Sequence, residues 1–348
     1  MSIRTRKPTG KPPWPILLLA GREKAGKTWA ALTASTSPLV GRTLYIGIGE
    51  DDPDEYALIP GAEFEIVLHD GTFGGILDAV RAAVAEPAGE KPTLIVVDSM
   101  TRLWNLIGDN MQAIANARAK GRKNANGDYT ISADLWNVAA AQWQDVMNAL
   151  RAHQGPVIVT ARLDSVSVME NGAPTAQKEW KVQAHKSLVF DASAIVEMRE
   201  RGQFLITGIR SVRVPLDAPK DFPEFTVDRL WGDLGLASGT GERTHATVHA
   251  DSPAAFIERI QAAESLQALQ GLWVEAQRAR VSADPDVIAA KDARKEALSS
   301  PAEADAPAKA AGASDERTEP ESGIPVGDPM SLTPEEIAEY GLDEGEQR

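Results

Sequence analysis

The sequence predicts an α/β fold built on a mostly parallel sheet. Three observations carry that expectation. Short apolar runs alternate with helix-like stretches from Trp14 to about Arg213. Two of the runs, Ile16–Leu19 and "TLIVVDS" at 93–99, are continuous and β-rich, as strands buried on both faces are. Between the first run and a helix start lies Gly21-Arg22-Glu23-Lys24-Ala25-Gly26-Lys27-Thr28, a G-x-x-x-x-G-K-T loop.

The elements follow in order. Residues 1–13, "MSIRTRKPTGKPP", read as a flexible basic arm without the apolar stretch of a signal peptide. Ile16–Leu19 is the first strand, and a helix opens at Gly26–Lys27. "TLYIGIGE" (43–50) and "FEIVLHD" (64–70) are further strands, the former expected beside the phosphate-loop strand. "GGILDAVRAAVAE" has helical spacing. "SADLWNVAAAQWQDVMNALRAH" predicts a long helix capped by Ser132, with Leu135, Val138, Ala139, Val146, Ala149 and Leu150 on one face. Gly155-Pro156 ends it and "VIVT" (157–160) is the next buried strand. "SAIVEMRE" (193–200) and "QFLITGI" (203–209) form an antiparallel hairpin through Arg201-Gly202. After Pro215 the pattern weakens, and two helical patterns follow. The expected organisation is an arm at 1–13, a core at 14–245, a helical unit at 250–300 and a disordered acidic tail at 301–348. Ser331 or Thr333 could cap one short helix within that tail.

The net charge of −14 does not describe the folded surface, because residues 301–348 hold 13 acidic and 3 basic side chains. Cysteine is absent, which excludes disulfides, a thiolate nucleophile and Cys-ligated zinc and fits a cytoplasmic location. No apolar run reaches the roughly 20 residues of a membrane span.

The G-x-x-x-x-G-K-T loop points to ATP and Mg2+. Gly21 and Gly26 permit torsions and close approach that a side chain would block. The backbone of Gly21, Arg22, Glu23, Lys24, Ala25, Gly26, Lys27, Thr28 and Trp29 is the expected nucleotide cradle. Lys27 would reach the β/γ oxygens and Thr28 would offer its hydroxyl to Mg2+. Asp98, ending "LIVVD", is the expected acid of the magnesium shell, acting through water. Glu50 is the candidate for orienting the attacking water, with Asp51, Asp52, Asp54 and Glu55 as near alternatives. Thr160 is a candidate γ-phosphate sensor or a simple strand-end threonine. Trp14 is a candidate for adenine stacking or for core packing. His245 and His249 lack a nearby third ligand, which argues against a metal site.

"GREKAGKT", "LYIGIGE", "LIVVDSMTRLW", "VIVTAR" and "HKSLVFDASAIVEMRE" together resemble the RecA-like ATPase core over residues 14–215. The sequence is most similar to phage-encoded ATP-binding proteins with a single RecA core, including the Sak-type single-strand annealing group. That resemblance implies Glu50 as the water-polarising acid and Asp98 as the Walker B acid. It also implies that Lys186, Arg210 and Arg213 reach a neighbouring subunit's nucleotide in a homo-oligomer. The core shows no obvious nearby cation for the γ-phosphate, so an arginine in trans is expected, Arg210 first. The chain departs from recombinases in ending its sensor strand Thr160-Ala161-Arg162, where they often carry Gln. No polymerisation domain precedes Trp14, so a ring or short oligomer is as consistent as a filament.

Two segments are candidate contacts for single-stranded DNA, read without sequence preference. "NARAKGRKNANGDY" carries Arg118, Lys120, Arg122, Lys123 and Tyr129, and is either a DNA loop or a solvated mobile one. "RLDSVSVMENGAPTAQKEWKVQAHKS" has a hairpin tip at Asn171-Gly172, with Lys178, Trp180, Lys181 and Lys186 on its return. It is either a DNA hairpin or a structural one with Trp180 packed. The function expected is an ATP-hydrolysing, DNA-stimulated recombination or single-strand annealing protein. The alternatives are a replication ATPase, helicase loader or packaging motor, or an ATP-gated scaffold that recruits a protein partner through its tail.

Overall fold

The computed structural model describes residues 5–51, 53–87, 89–170, 173–243, 253–279 and 281–299. His245, His249 and the whole acidic tail, with Ser331 and Thr333, lie outside the described residues. The described residues fall into two compact units, divided after residue 245.

The first unit is a nine-stranded sheet with helices on both faces. The strands are β1 (Ile16–Gly21), β2 (Thr43–Gly47), β3 (Glu65–Ile66), β4 (Leu94–Asp98), β5 (Val157–Glu170), β6 (Ala173–Gln183), β7 (Ala194–Met198), β8 (Leu205–Ile209) and β9 (Lys220–Asp221). Their order is β3-β2-β4-β5-β1-β7-β8-β9, with β6 paired to β5. β1 to β5 and β7 run parallel, while β6, β8 and β9 are antiparallel additions.

Side chains alternate across a strand, and the core divides accordingly. Ile16 and Leu18 of β1, Leu44 and Ile46 of β2, and Ile95 and Val97 of β4 pack on one face. That face is covered by α2 (Phe73–Ala85), α3 (Met100–Arg118) and α4 (Ala133–Ala152). Leu17, Leu19, Tyr45, Leu94 and Val96 face the other way, onto α1 (Lys27–Thr33) and α6 (Val227–Asp233). A short helix, α5 (Leu188–Asp191), precedes β7.

Several expectations are revised. β2 does not lie beside β1; β4 and β5 stand between them. The chain crosses over two strand positions after α1, and later strands fill the gap. The strand expected over 64–70 pairs only at Glu65–Ile66, and beyond it Leu68 is exposed. α3 is an element beyond those expected, and its buried Met100, Leu103, Trp104, Ile107 and Met111 recur at helical spacing. Ser132 occupies the N-cap position of α4 without capping it, since its hydroxyl donates to the Asp134 carboxylate. Val138 is exposed, and Trp136, Trp143 and Met147 fill the buried face of α4 instead. Trp14 is buried edge-on against Trp231, with ring centroids 5.5 Å apart, so it is a core residue and cannot stack on a base. Pro12 and Pro13 are tied to Gly241 by a backbone hydrogen bond and a bridge.

β5 outruns the parallel sheet. From Arg162 onward it pairs with β6 as a two-stranded ribbon, ending at Glu170 opposite Ala173. Asn171 and Gly172, the expected tip, lie outside the described residues.

The second unit is three helices, α7 (Pro253–Gln261), α8 (Leu266–Arg278) and α9 (Pro285–Ser299). They close on Phe256, Ile260, Leu269, Ala276 and Val287. Ser265 caps α8 by accepting from the Ala268 N–H at 3.1 Å. No helix among the described residues is long and apolar enough to cross a membrane.

Candidate nucleotide site

β1 delivers the chain to the loop at Gly21, beside Met198 of β7. A Cβ on Gly21 would lie 2.9 Å from both the Cβ and the carbonyl oxygen of Met198, so only glycine lets the strands approach here. Gly26 has φ +96°, which also favours glycine, and α1 starts at the next residue. The first amides of a helix have no intrahelical acceptor and face the loop. The Arg22 amide donates to Met198 O of β7, and the Ala25 amide donates within the loop to Arg22 O. The Glu23 and Lys24 side chains point to solvent, 86% and 89% exposed.

The Lys27 ammonium donates to Gly21 O at 3.0 Å and Arg22 O at 2.9 Å. Burial lowers its pKa, while Asp98 and Glu50 act in the opposite direction. Thr28 Oγ1 donates to Asp98 Oδ2 at 2.6 Å. The Thr160 hydroxyl donates to Asp98 Oδ1, and Tyr45 OH lies 3.4 Å from Oδ2. Burial, with Asp98 beside it, raises the pKa of the Tyr45 phenol, which stays a neutral donor. Alternation explains the convergence. Tyr45, Asp98 and Thr160 share parity with Leu94, Val96 and Ile158, whose side chains face α1. Thr160 is fully buried and holds Asp98; it does not line the cavity.

Glu50 follows the end of β2 and borders the same cavity as Asp98. Its Oε1 accepts from Ser99 Oγ at 2.8 Å and from Arg162 at 3.2 Å, with Arg102 at 3.8 Å. Asp51 and Glu55 also border the cavity, whereas Asp54 does not. Asp52 lies outside the described residues. A cavity of about 1500 Å³ joins the loop, Glu50, Asp98 and Arg162. Trp29 and Tyr56 meet edge-on at its wall, with centroids 6.3 Å apart.

Tyr45, Ser99, Arg162 and the Arg201-Gly202 turn border or support this site without having been singled out for it. Arg162 had a signal: two residues after Thr160 on one strand, it belongs to the same face. The expectation that the core lacks a nearby cation is therefore wrong. Arg210 is not part of its own chain's cavity. Ile209 pairs with Ala194, and the Arg210 N–H donates to Ser193 O at 2.7 Å. This is the edge where the parallel strands begin, opposite the phosphate loop. Arg213 lies against Gly235, and Lys186 follows the buried His185.

The first DNA segment does not leave β4 directly, since α3 intervenes. It folds back on α3, where Gln112 and Asn116 bond Tyr129 and Asp128. Lys123 lies over the Tyr129 ring, 4.8 Å from its centroid, and Arg118 pairs with Asp134. Lys120 and Arg122 are exposed. On the ribbon Lys178 and Lys181 are exposed, whereas Trp180 packs on the core under Arg199.

The profile of the AAA domain family matches residues 15–202, more than half of the chain. This chain belongs to the AAA domain family. The matched span contains the phosphate loop, Glu50, Asp98 and Arg162, and excludes Arg210 and the three-helix unit. Within that span β5 stands between the loop strand and the strand that ends in Asp98. Similar solved structures include a RadB recombinase, at TM-score 0.35 and 18% identity over 62% of this chain and 90% of that one. A KaiC-like protein from Pyrococcus horikoshii OT3 matches at TM-score 0.34 and 13% identity, over 62% and 92%. A DnaB-like replicative helicase matches at TM-score 0.33 and 13% identity, over 56% and 52%. No curated protein matches the chain.

Proposed function

We propose that this chain binds ATP with Mg2+ in the cavity, hydrolyses it, and couples the cycle to recombination or annealing of single-stranded DNA as a homo-oligomer. The observation that carries the ATPase reading is the contact between Thr28 Oγ1 and Asp98 Oδ2 at 2.6 Å, made across the strand that separates their elements. A hydroxyl and a carboxylate both bordering the cavity are hard oxygen donors, the set a magnesium ion prefers. Thr28 would hold the ion directly and Asp98 through water. When bound, the ion would neutralise charge on the β- and γ-phosphates. Lys27 would exchange its two carbonyl acceptors for phosphate oxygens. Glu50 would orient the attacking water.

The DNA reading is supported by exposed cations on two extensions of the core: Lys120 and Arg122 after α3, and Lys178 and Lys181 on β6. Neither extension presents a base-reading motif, which favours contacts to the phosphate backbone. Arg210, remote from its own loop, would act only toward another subunit.

The test is ATP turnover by full-length protein with and without single-stranded DNA. Turnover that requires Lys27 and rises with DNA is the expected result. Absence of ATP binding would overturn the whole reading, while unstimulated turnover would remove only the DNA.

A further inference from the structure

Arg162 stands in the cavity without a part in the phosphate loop or the Asp98 cluster. It is the residue at which β5 changes partners, pairing with Gly21 on one side and Gln183 on the other. Its N–H donates to Thr101 Oγ1 at 2.8 Å, which ties its main chain to the first turn of α3. The backbone is thus fixed on three sides, and the guanidinium projects from a rigid strand.

That guanidinium lies close enough to Lys27 to work against its charge, and it donates to Glu50 Oε1 at 3.2 Å. Its side chain is 43% exposed, so this ion pair stabilises little. A terminal phosphate is a stronger partner, because it offers more charge and two acceptors to the planar fork. Glu50 does not depend on Arg162 for its position, since Ser99 holds the same oxygen at 2.8 Å. Arg102, the other arginine near Glu50, does not border the cavity.

We propose that Arg162 supplies, from within the same chain, the cation that meets the γ-phosphate of ATP, giving up Glu50 to do so. The proposal rests on the ATPase reading above and changes where the balancing charge comes from. In hydrolysis the water oxygen bonds to the γ-phosphorus, and the bond to the bridging oxygen breaks. That oxygen leaves on ADP, and the water proton ends on the released phosphate. Arg162 neutralises charge on the transferring group, while Glu50, freed of the guanidinium and still held by Ser99, orients the water.

The experiment compares full-length wild type, Arg162→Ala and Arg162→Lys, with Glu50→Gln alongside. Affinity for ADP and for a non-hydrolysable ATP analogue is measured, and turnover is measured across protein concentrations. Arg162→Ala is expected to keep ADP affinity, lose about tenfold or more in analogue affinity, and lose about 100-fold or more in turnover. Arg162→Lys, which keeps charge and fold, should recover part of both. The loss should be the same at every protein concentration. Mixing with Lys27→Ala protein, whose Arg162 is intact, should restore nothing. Unchanged preference for the analogue over ADP in both variants would overturn the proposal, and so would restoration on mixing. The analogue measurement decides even if turnover needs DNA. If Glu50→Gln alone turns over normally, the water-orienting assignment fails while the Arg162 result stands.

Discussion

Lowering the pH should destabilise the first unit through His185 before the bulk of its carboxylates titrate. His185 is 7% exposed, between the rings of Trp104 and Trp143, with centroids 4.9 Å and 5.3 Å away. Its Nδ1 accepts from the Ser187 N–H at 3.2 Å, so the neutral ring carries its proton on Nε2. Charging the ring would take that acceptor away. Burial first, and Lys186 second, bring its pKa down from 6.5 to about 4. Between those values the unfolded chain binds a proton that the folded chain refuses. The contribution is therefore complete above pH 6.5 and lost as pH falls toward 4. The shift corresponds to about 3 kcal/mol in all, and roughly 1 kcal/mol is lost by pH 5.5. His153, whose pKa is lowered mainly by burial, acts in the same direction. The assay is urea unfolding at pH 7.5 and 5.5, followed by fluorescence of the tryptophans around His185. His185→Gln should shrink the difference between the two pH values by about 1 kcal/mol or more, whatever it does to stability itself. An undiminished difference in that variant would refute the reasoning.

The remaining expectations concern the site and its surroundings. Lys27→Ala should abolish turnover, and Glu50→Gln should bind ATP yet hydrolyse it about 100-fold more slowly, checked by phosphate release against nucleotide binding; normal turnover of Glu50→Gln would move the role to Asp51 or another nearby acid. Gly21→Ala forces a Cβ to 2.9 Å from Met198 and should cost about 1–3 kcal/mol in thermal or urea unfolding, together with nucleotide affinity. Neutralising Lys120, Arg122 and Lys123 should flatten the salt dependence of single-strand binding by about 0.7 per lost phosphate contact, leaving ATP affinity intact. For Arg210, mixing slow Lys27→Ala protein with Arg210→Ala protein should partly restore turnover if it acts across subunits, and Arg210→Ala with normal turnover alone at every concentration would exclude it.

The phosphate loop, the Asp98 strand and the β7–β8 hairpin were legible because each is a run of neighbouring residues with its own period or turn chemistry. Gly21 to Thr28 needs no distant information, and "LIVVD" is apolar on both faces wherever it lies in the sheet. Strand order was not legible. No local pattern says that β2 leaves two places beside β1 for strands still to come, because crossover connections decouple chain order from neighbourhood. The fates of Trp14, Val138 and Ser132 likewise turned on what the rest of the chain brought against them: Trp231, solvent and Asp134. The residue types of the site were in the sequence, but their pairings were not. Thr28 meets Asp98, and Glu50 meets Ser99 and Arg162, only after the sheet places their strand ends along one edge. Periodicity assigns a residue to a face, and tertiary structure alone decides which distant residues share it.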